Sequence, residues 1–460
     1  MALSRFFKAK SVAVIGASST PGRIGFEVLR SLSQYDYGGK VYPINPTRSE
    51  LLGIKCYSSV LDVPDMIDLA VFTLRSTMIP ELMEECGRKG IKNVIIVSGG
   101  FKELGGEYAD AEDEVVQVAK SYGIRVIGPN CIGVFDGETR LDTFFQSHER
   151  MVRPPLGPIA FITQSGTFGV AMLEWAASVG ISKFVSIGNR ADVDEADLID
   201  YLKDDRQTHV IALYVEGFRD GRKFLKVARE VVPKKPIVIL KAGRTEQGSR
   251  AAMSHTGSLA GSYDVSRGAF KQFGLIEASD FEELFDMAKA LALQPPADGN
   301  GIAMVTNGAG PCVMAADAFV ERELQLAVLE RESSEKLKEI FPPPYIIDTS
   351  VDLTGSATSK DYEGAIEILA KDKHVNVIMP FFVFQDTPLD EGIVEVVIEA
   401  KKFGKPIVCG SSGGSYTAKQ SERIERGGIP VYPTPERTVA AAYALVRYGS
   451  VRETLGNKWL

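Results

Sequence analysis

At 460 residues and 45% hydrophobic side chains, the chain is long enough for two or three cores and too long for one ordinary core. Its 52 basic and 60 acidic side chains leave a formal net charge of −8, which opposes non-specific binding to nucleic acid; a polyanionic ligand must find a local basic pocket. Five cysteines (Cys56, Cys86, Cys131, Cys312 and Cys409) are odd in number and scattered without a CxxC pair, which reads as free thiols in a reducing compartment, with no zinc site and no disulfide framework.

The opening MALSRFFKAKSVAVIG passes from a short basic stretch straight into an apolar strand, without the apolar core and cleavage site of a signal peptide. No apolar run reaches the roughly 18 to 20 residues that cross a bilayer, so no membrane partner and a cytoplasmic location are expected. From there apolar runs alternate with helical patterns: SVAVIG, KVYPIN, LAVFTL, NVIIVSGG and RVIGPN, then PIAFITQSG, FVSIGN, VIALYVEG and PIVILKAG, then GIAMVTNGAG, VNVIMPFF and KPIVCGSSGG. Strand followed by helix, repeated, predicts parallel sheets covered on both faces. Proline and glycine break the pattern at MVRPPLGP (Met151 to Pro158) and LQPPADGNG (Leu293 to Gly301). Three doubly wound α/β domains follow, at 1–150, 155–292 and 299–460, the first Rossmann-like and the other two flavodoxin-like. The second and third open alike, with PIAFITQSGTFG and GIAMVTNGAGPC; duplication and convergence on a small-residue turn both account for this.

In the first domain, the strand Val12 to Ile15 enters Gly16-Ala-Ser18-Ser-Thr-Pro21-Gly22-Arg23-Ile-Gly25, and a helix begins near Phe26. Glycines in such a turn let the backbone approach a pyrophosphate lying at the helix N-terminus. The spacing departs from GxGxxG, and a tight turn without a ligand is the alternative. The second strand ends Tyr42-Pro-Ile-Asn45-Pro46-Thr-Arg48, where an NAD site would place a carboxylate. Arg48 instead suits a phosphate on the ribose, as in NADP or CoA, unless it is an ordinary surface arginine. Val97-Ser98-Gly99-Gly100-Phe-Lys-Glu103 and Gly128-Pro-Asn130-Cys131-Ile-Gly133 also follow strands, where an open sheet forms its ligand crevice. Asn130 either meets a ligand or caps its turn, and Cys131, with no histidine near it in sequence, reads as packing.

The second domain opens with Thr163-Gln164-Ser165-Gly166-Thr167, a helix start able to hold phosphate or merely to cap itself. Lys241 to Gly261 follows another buried strand and is rich in Gly, Ala, Ser and Thr. It carries His255, which can be a phosphoryl acceptor if a second group fixes its tautomer, or a solvated loop residue. Glu216, closing the strand Val210 to Val215, is the candidate to orient it. No Walker A lysine, Ser-His-Asp order or metal site appears.

The segments VAVIGASSTPGRIG, YPINP, GPNCIG, FITQSGTFG, YVEG, LKAGRTEQGSRAAMSHTGSLAG and VTNGAG, in this order, resemble the α subunit of ADP-forming acetyl-CoA synthetases, relatives of succinyl-CoA synthetase. SHTGSLAG is the most specific of them. The resemblance implies an acid–thiol ligase with the reaction acyl-CoA + phosphate + ADP ⇌ acid + CoA + ATP. CoA or acetyl-CoA would meet Gly16, Ser18, Pro21, Gly22 and Arg23, then Asn45, Pro46 and Arg48, then Ser98 to Gly100, Asn130 and Cys131. Phosphate would meet Gln164, Ser165, Gly166 and Thr167, and His255, oriented by Glu216, would take the phosphoryl group from an acyl phosphate. ADP and ATP, with Mg, would belong to an ATP-grasp β subunit in an α2β2 heterotetramer. Thr349-Ser350 stands where the family often has Asn-Pro before Val351-Asp352-Leu353, which puts a catalytic role for Asp352 in doubt. The alternatives are an NADP-dependent oxidoreductase and a CoA-sensing regulatory subunit with an inert loop.

Overall fold

The computed structural model describes residues 3–256, 262–348 and 350–459, the side chains of 107, 252–256 and 456–459 excepted. Two compact units are formed, Met1–Glu277 and Ala278–Leu460.

Among the described residues the first unit holds two large sheets and a small antiparallel pair, Glu50–Leu51 with Ile54–Lys55. In one, β1 (Ser11–Ile15), β2 (Lys40–Ile44), β3 (Leu69–Phe72), β4 (Asn93–Ile96) and β5 (Arg125–Ile127) lie in the order 2-1-3-4-5, all parallel. Every residue of β1, β3 and β4 is buried, as expected for strands covered on both faces by helices such as α1 (Ile24–Ser33), α2 (Ile79–Lys89) and α3 (Glu107–Tyr122). The chain then adds β6 (Val134–Asp136) as an antiparallel edge to the second sheet.

That sheet continues through β7 (Leu156–Thr163), α4 (Gly166–Trp175), β8 (Ile181–Ser186), α5 (Glu195–Leu202), β9 (Val210–Val215), α6 (Gly221–Val231), β10 (Ile237–Lys241), α7 (Glu246–Thr256), α8 (Tyr263–Phe273) and β11 (Ile276–Glu277). Its order is β11-β10-β9-β7-β8-β6. Counting from β7, the parallel strands repeat the 2-1-3-4-5 order. The sequence direction therefore reverses between β1 and β3 in the first sheet and between β7 and β9 in the second. At such reversals the loops leaving adjacent strands turn to opposite faces and open a crevice.

The second unit comprises α9 (Phe281–Leu293), β12 (Gly301–Thr306), α10 (Gly310–Glu321), β13 (Gln325–Leu326), α11 (Arg331–Ile340), β14 (Ile346–Ile347), β15 (Val351–Asp352), α12 (Ser359–Lys371), β16 (Val377–Phe381), α13 (Ile393–Glu399), β17 (Cys409–Gly410), α14 (Ser415–Arg426), β18 (Val431–Tyr432) and α15 (Pro435–Trp459). Its sheet runs β14-β15-β12-β16-β17-β18, with β13 also on β12. Helix α9 is tied into this unit by polar groups: Arg437 pairs with the buried Asp286 at 2.5 Å, and Lys289 Nζ reaches Glu425 at 2.5 Å and the Val431 carbonyl at 2.9 Å.

The likeness between the openings of the second and third sheets extends to their hydrogen bonds. Thr163 Oγ1 donates to the Ser165 carbonyl (2.7 Å) and accepts from the Ser165 amide (3.0 Å). Thr306 makes the same two bonds with Gly308, at 2.7 and 3.0 Å.

Candidate active site

The turn after β1 is shaped by two glycines. Gly16 has φ +94°, and a Cβ there would lie 2.6 Å from the Leu74 side chain; a Cβ on Gly25 would lie 2.2 Å from the Gly16 carbonyl oxygen. The helix start is thereby pulled onto the strand end. Residues 19–24, including Pro21, Gly22 and Arg23, are left exposed above it, and Ser18 Oγ accepts from the Thr20 amide at 3.1 Å. Asn45 joins the second turn to the first, its Nδ2 donating to the Ala17 carbonyl at 2.8 Å, and Pro46 and Arg48 lie exposed beyond it.

The other two turns of this sheet meet on the same edge. Gly100, at φ +92°, lies against Ser76 from the loop after β3, and Gly99 lies between Glu103 and Asn130. The Asn130 amide donates to the Ser98 carbonyl at 2.9 Å, and Asn130 itself is left-handed at φ +57° with an exposed side chain. Cys131 sits below this turn. Its Sγ donates to the Ile96 carbonyl at 3.3 Å, and burial pushes its thiol up to about 12, so it is a packed thiol and not a nucleophile.

The first sheet delivers this edge onto the second. A Cβ on Gly166 would lie 2.8 Å from Ile132, the Asn189 amide donates to the Pro129 carbonyl at 2.9 Å, and the Ser186 amide donates to the Gly133 carbonyl at 3.0 Å. Asn189 also clasps the Gly99–Gly100 turn, its Nδ2 donating to Glu103 Oε2 (2.6 Å) and Glu112 Oε2 (3.0 Å). Glu103 in turn accepts from the Gly100 and Phe101 amides at 2.5 and 3.1 Å. Burial opposes the charge on Glu103, but these N–H donors outweigh it and hold the carboxyl below its ordinary range.

At the reversal between β7 and β9, Ser165 is the N-cap of α4 with no side-chain capping bond, and no acidic residue stands in the first turn. Thr167 is exposed and Ser165 and Gly166 partly so, leaving an accessible helix N-terminus. Beside it, Gln164 reaches across to the end of β9: its Oε1 accepts from the Glu216 amide (2.5 Å) and the Gly217 amide (3.3 Å), and its Nε2 donates to the Gly217 carbonyl (2.8 Å). The side chain of Glu216 is buried, with Tyr214 OH 3.5 Å from its Oε1.

Two buried cations that sequence reasoning missed complete this turn. Arg190 Nη1 donates to the Gly217 carbonyl at 2.6 Å and lies 3.5 Å from the buried Glu195. Lys241 Nζ donates to the carbonyls of Glu216 at 2.7 Å and Ala242 at 2.6 Å. The one available sequence signal was a charged residue closing the otherwise apolar run Ile237-Val-Ile-Leu240. The backbone of α7 carries position 255, but the His255 side chain lies outside the described residues, as do Gly257 to Gly261. In the second unit, Asp352 is buried and its Oδ1 accepts from the Thr354 amide at 2.9 Å, which fixes a turn.

Among the described residues no helix is long and apolar enough to cross a membrane, and no group of three or more His, Cys, Asp or Glu is placed to hold a metal ion. Three family descriptions match this succession of parallel sheets and set the chain in the CoA-ligase class: "CoA binding domain" over 10–136, "Succinyl-CoA ligase like flavodoxin domain" over 156–291 and "Ligase-CoA domain" over 302–456. The α subunit of acetate–CoA ligase [ADP-forming] II from Pyrococcus furiosus is 42% identical over 97% of each chain. The acetate–CoA ligase [ADP-forming] of Methanocaldococcus jannaschii is also 42% identical, over 96% of this chain and 63% of that longer one. A solved acetyl-coenzyme A synthetase 1 from Ca. Korarchaeum cryptofilum, in complex with phosphate and ADP, superposes with a TM-score of 0.92 at 38% identity, covering all of both chains. The chain belongs to the family of ADP-forming acetate–CoA ligases, acid–thiol ligases, and corresponds to their α subunit.

Proposed function

We propose that the chain binds CoA or acetyl-CoA on the exposed turns of the first sheet and forms an acyl phosphate at the N-terminus of α4. It then accepts the phosphoryl group on His255 for delivery to ADP on a partner chain. The observation that carries this reading is the Gln164 bridge, which fixes the open start of α4 against Glu216 at one sheet reversal. Crowding around Gly16 and Gly25 supports the CoA assignment, because it leaves bare backbone and exposed Arg23 and Arg48 facing a ligand.

Attack of inorganic phosphate on the thioester carbonyl forms the phosphate–carbonyl bond and expels the CoA thiolate. The helix N-terminus supplies N–H donors to the phosphate oxygens, and its dipole favours their charge. An imidazole nitrogen of His255 then displaces the carboxylate from phosphorus, with Glu216 holding the opposite ring nitrogen as N–H donor. A covalent carrier lets CoA and nucleotide occupy separate pockets. The nucleotide pocket, with its Mg, is assigned to an ATP-grasp β subunit, in an α2β2 heterotetramer of the cytoplasm; its occupancy and chemistry rest on that partner. Acetate is the proposed acid, in keeping with the names of the relatives.

The test is to incubate the purified chain with acetyl-CoA and radiolabelled phosphate. An acid-labile, base-stable label is expected, absent from His255→Ala and discharged to ATP when the partner and ADP are added. Label surviving in His255→Ala overturns the assignment.

A further inference from the structure

We infer that Lys241 is a positioning residue for phosphoryl capture: one ammonium ties the backbone of Glu216 to Ala242, the first residue of the segment that ends in His255. The inference rests on the phosphohistidine reading above. Both bonds are short, 2.7 Å to the Glu216 carbonyl and 2.6 Å to the Ala242 carbonyl, and the side chain is 1% exposed.

A buried ammonium is costly unless its N–H groups are bonded, and a hydrocarbon side chain would fill the end of an apolar strand at lower cost. Burial does weaken its hold on the proton: the Lys241 ammonium titrates below the ordinary lysine range, opposed by the nearby Glu216 charge and assisted by that of Arg190. A charge kept against that cost requires a return. Its two acceptors supply one, because they belong to the two chain segments whose separation decides whether the imidazole meets its carboxylate.

The neighbours divide the task. Gln164 and Arg190 hold Gly217 from the side of α4 and the β8 turn, at 2.8 and 2.6 Å to its carbonyl. Lys241, the last residue of β10, is the one of these three that also bonds Ala242, the residue after its own strand, whose amide donates to the Val215 carbonyl at 2.9 Å. The start of the segment that leads to position 255 is therefore fixed to the Glu216 turn by the Lys241 ammonium as well as by the backbone.

The experiment is a double-mutant cycle on single-turnover labelling, with Lys241→Met, Glu216→Gln and the double variant of the full chain. Lys241→Met is expected to slow labelling about tenfold or more, to leave the KM for acetyl-CoA within about twofold, and to slow labelling less than about threefold further in the Glu216→Gln background. Equal losses in both backgrounds, or labelling by Lys241→Met at the wild-type rate, would overturn the inference. Lys241→Gln, which retains two N–H donors, carries the same cycle if the methionine variant does not fold. Absence of label on the wild-type chain, or label persisting in His255→Ala, overturns the phosphohistidine reading itself; label on His255 that is independent of Lys241 overturns this inference alone.

Discussion

Replacing Gln164 by Met keeps the side-chain volume and removes every polar atom from the bridge. The amides of Glu216 and Gly217 then lose their acceptor, while the Gly217 carbonyl keeps Arg190. A buried N–H left without a partner costs about 1–3 kcal/mol. The 3.3 Å contact falls at the low end of that range, so the pair is worth about 2–4 kcal/mol. For a cooperative unit of some 250 residues this lowers the melting transition by about 4–8 °C. Calorimetry on the full chain measures it, alongside the single-turnover labelling rate, which is expected to fall at least about tenfold as the Glu216 turn relaxes. Gln164→Glu still accepts from both amides, but a carboxylate oxygen replaces the Nε2 donor opposite the Gly217 carbonyl, so melting should fall here too, and its negative charge beside the start of α4 should slow labelling by about tenfold or more. If Gln164→Met melts and labels like the wild type, or Gln164→Glu labels at full rate, the bridge does not organise a phosphate site.

Glu216→Gln should retain CoA binding, measured by calorimetric titration, and slow labelling by about 10²-fold. Arg48→Ala should weaken CoA more than dephospho-CoA in the same titration; equal weakening places Arg48 away from the 3′-phosphate. Gly25→Ala drives a Cβ toward the Gly16 carbonyl oxygen, 2.2 Å away with no flexible side chain to yield, and CoA affinity should fall more than about tenfold. All five cysteines are buried, so native chain should resist iodoacetamide at pH 8 and react at all five only after unfolding. Because the Cys131 thiol titrates near 12 when folded and near 9.0 when free, its contribution to stability is complete below about 9 and is lost as pH climbs from there toward 12. An alkaline unfolding titration comparing wild type with Cys131→Ala checks this.

The strands were legible because full burial demands uninterrupted apolar runs, and the turns because only glycine tolerates the crowding at Gly16, Gly25 and Gly166. Gln164, Ser165 and Glu216 were found at strand ends for the same reason. What linear reading missed was the clamp around them. Asn189 and Arg190 follow β8 and Lys241 closes β10, two separate strand ends, and only the strand order β10-β9-β7-β8 brings them together. A side chain that bonds to backbone carbonyls also leaves no pattern in sequence, since its partner can be any residue type. Cys131 shows the reverse case, a position in a turn proposed to face CoA whose side chain points beneath it. For His255 the local residues left two readings open, and the phosphoryl-acceptor reading rests on the family resemblance of SHTGSLAG.

The short strand β6 also decides how the chain can be cut. It leaves the first sheet in sequence yet closes the second, pairing Val134 with Val185 and Asp136 with Lys183, whose buried ammonium also pairs with Asp205 at 2.9 Å. Phe135 and Phe144 bring two more rings toward Phe184. A recombinant fragment beginning near residue 155 would expose the edge of β8 and strip Lys183 of one of its two carboxylates, while the complementary fragment would carry an apolar ribbon with nothing to pair against. Both halves are thus expected to aggregate when made alone and to recover when co-expressed, so the smallest workable piece of this unit keeps both sheets.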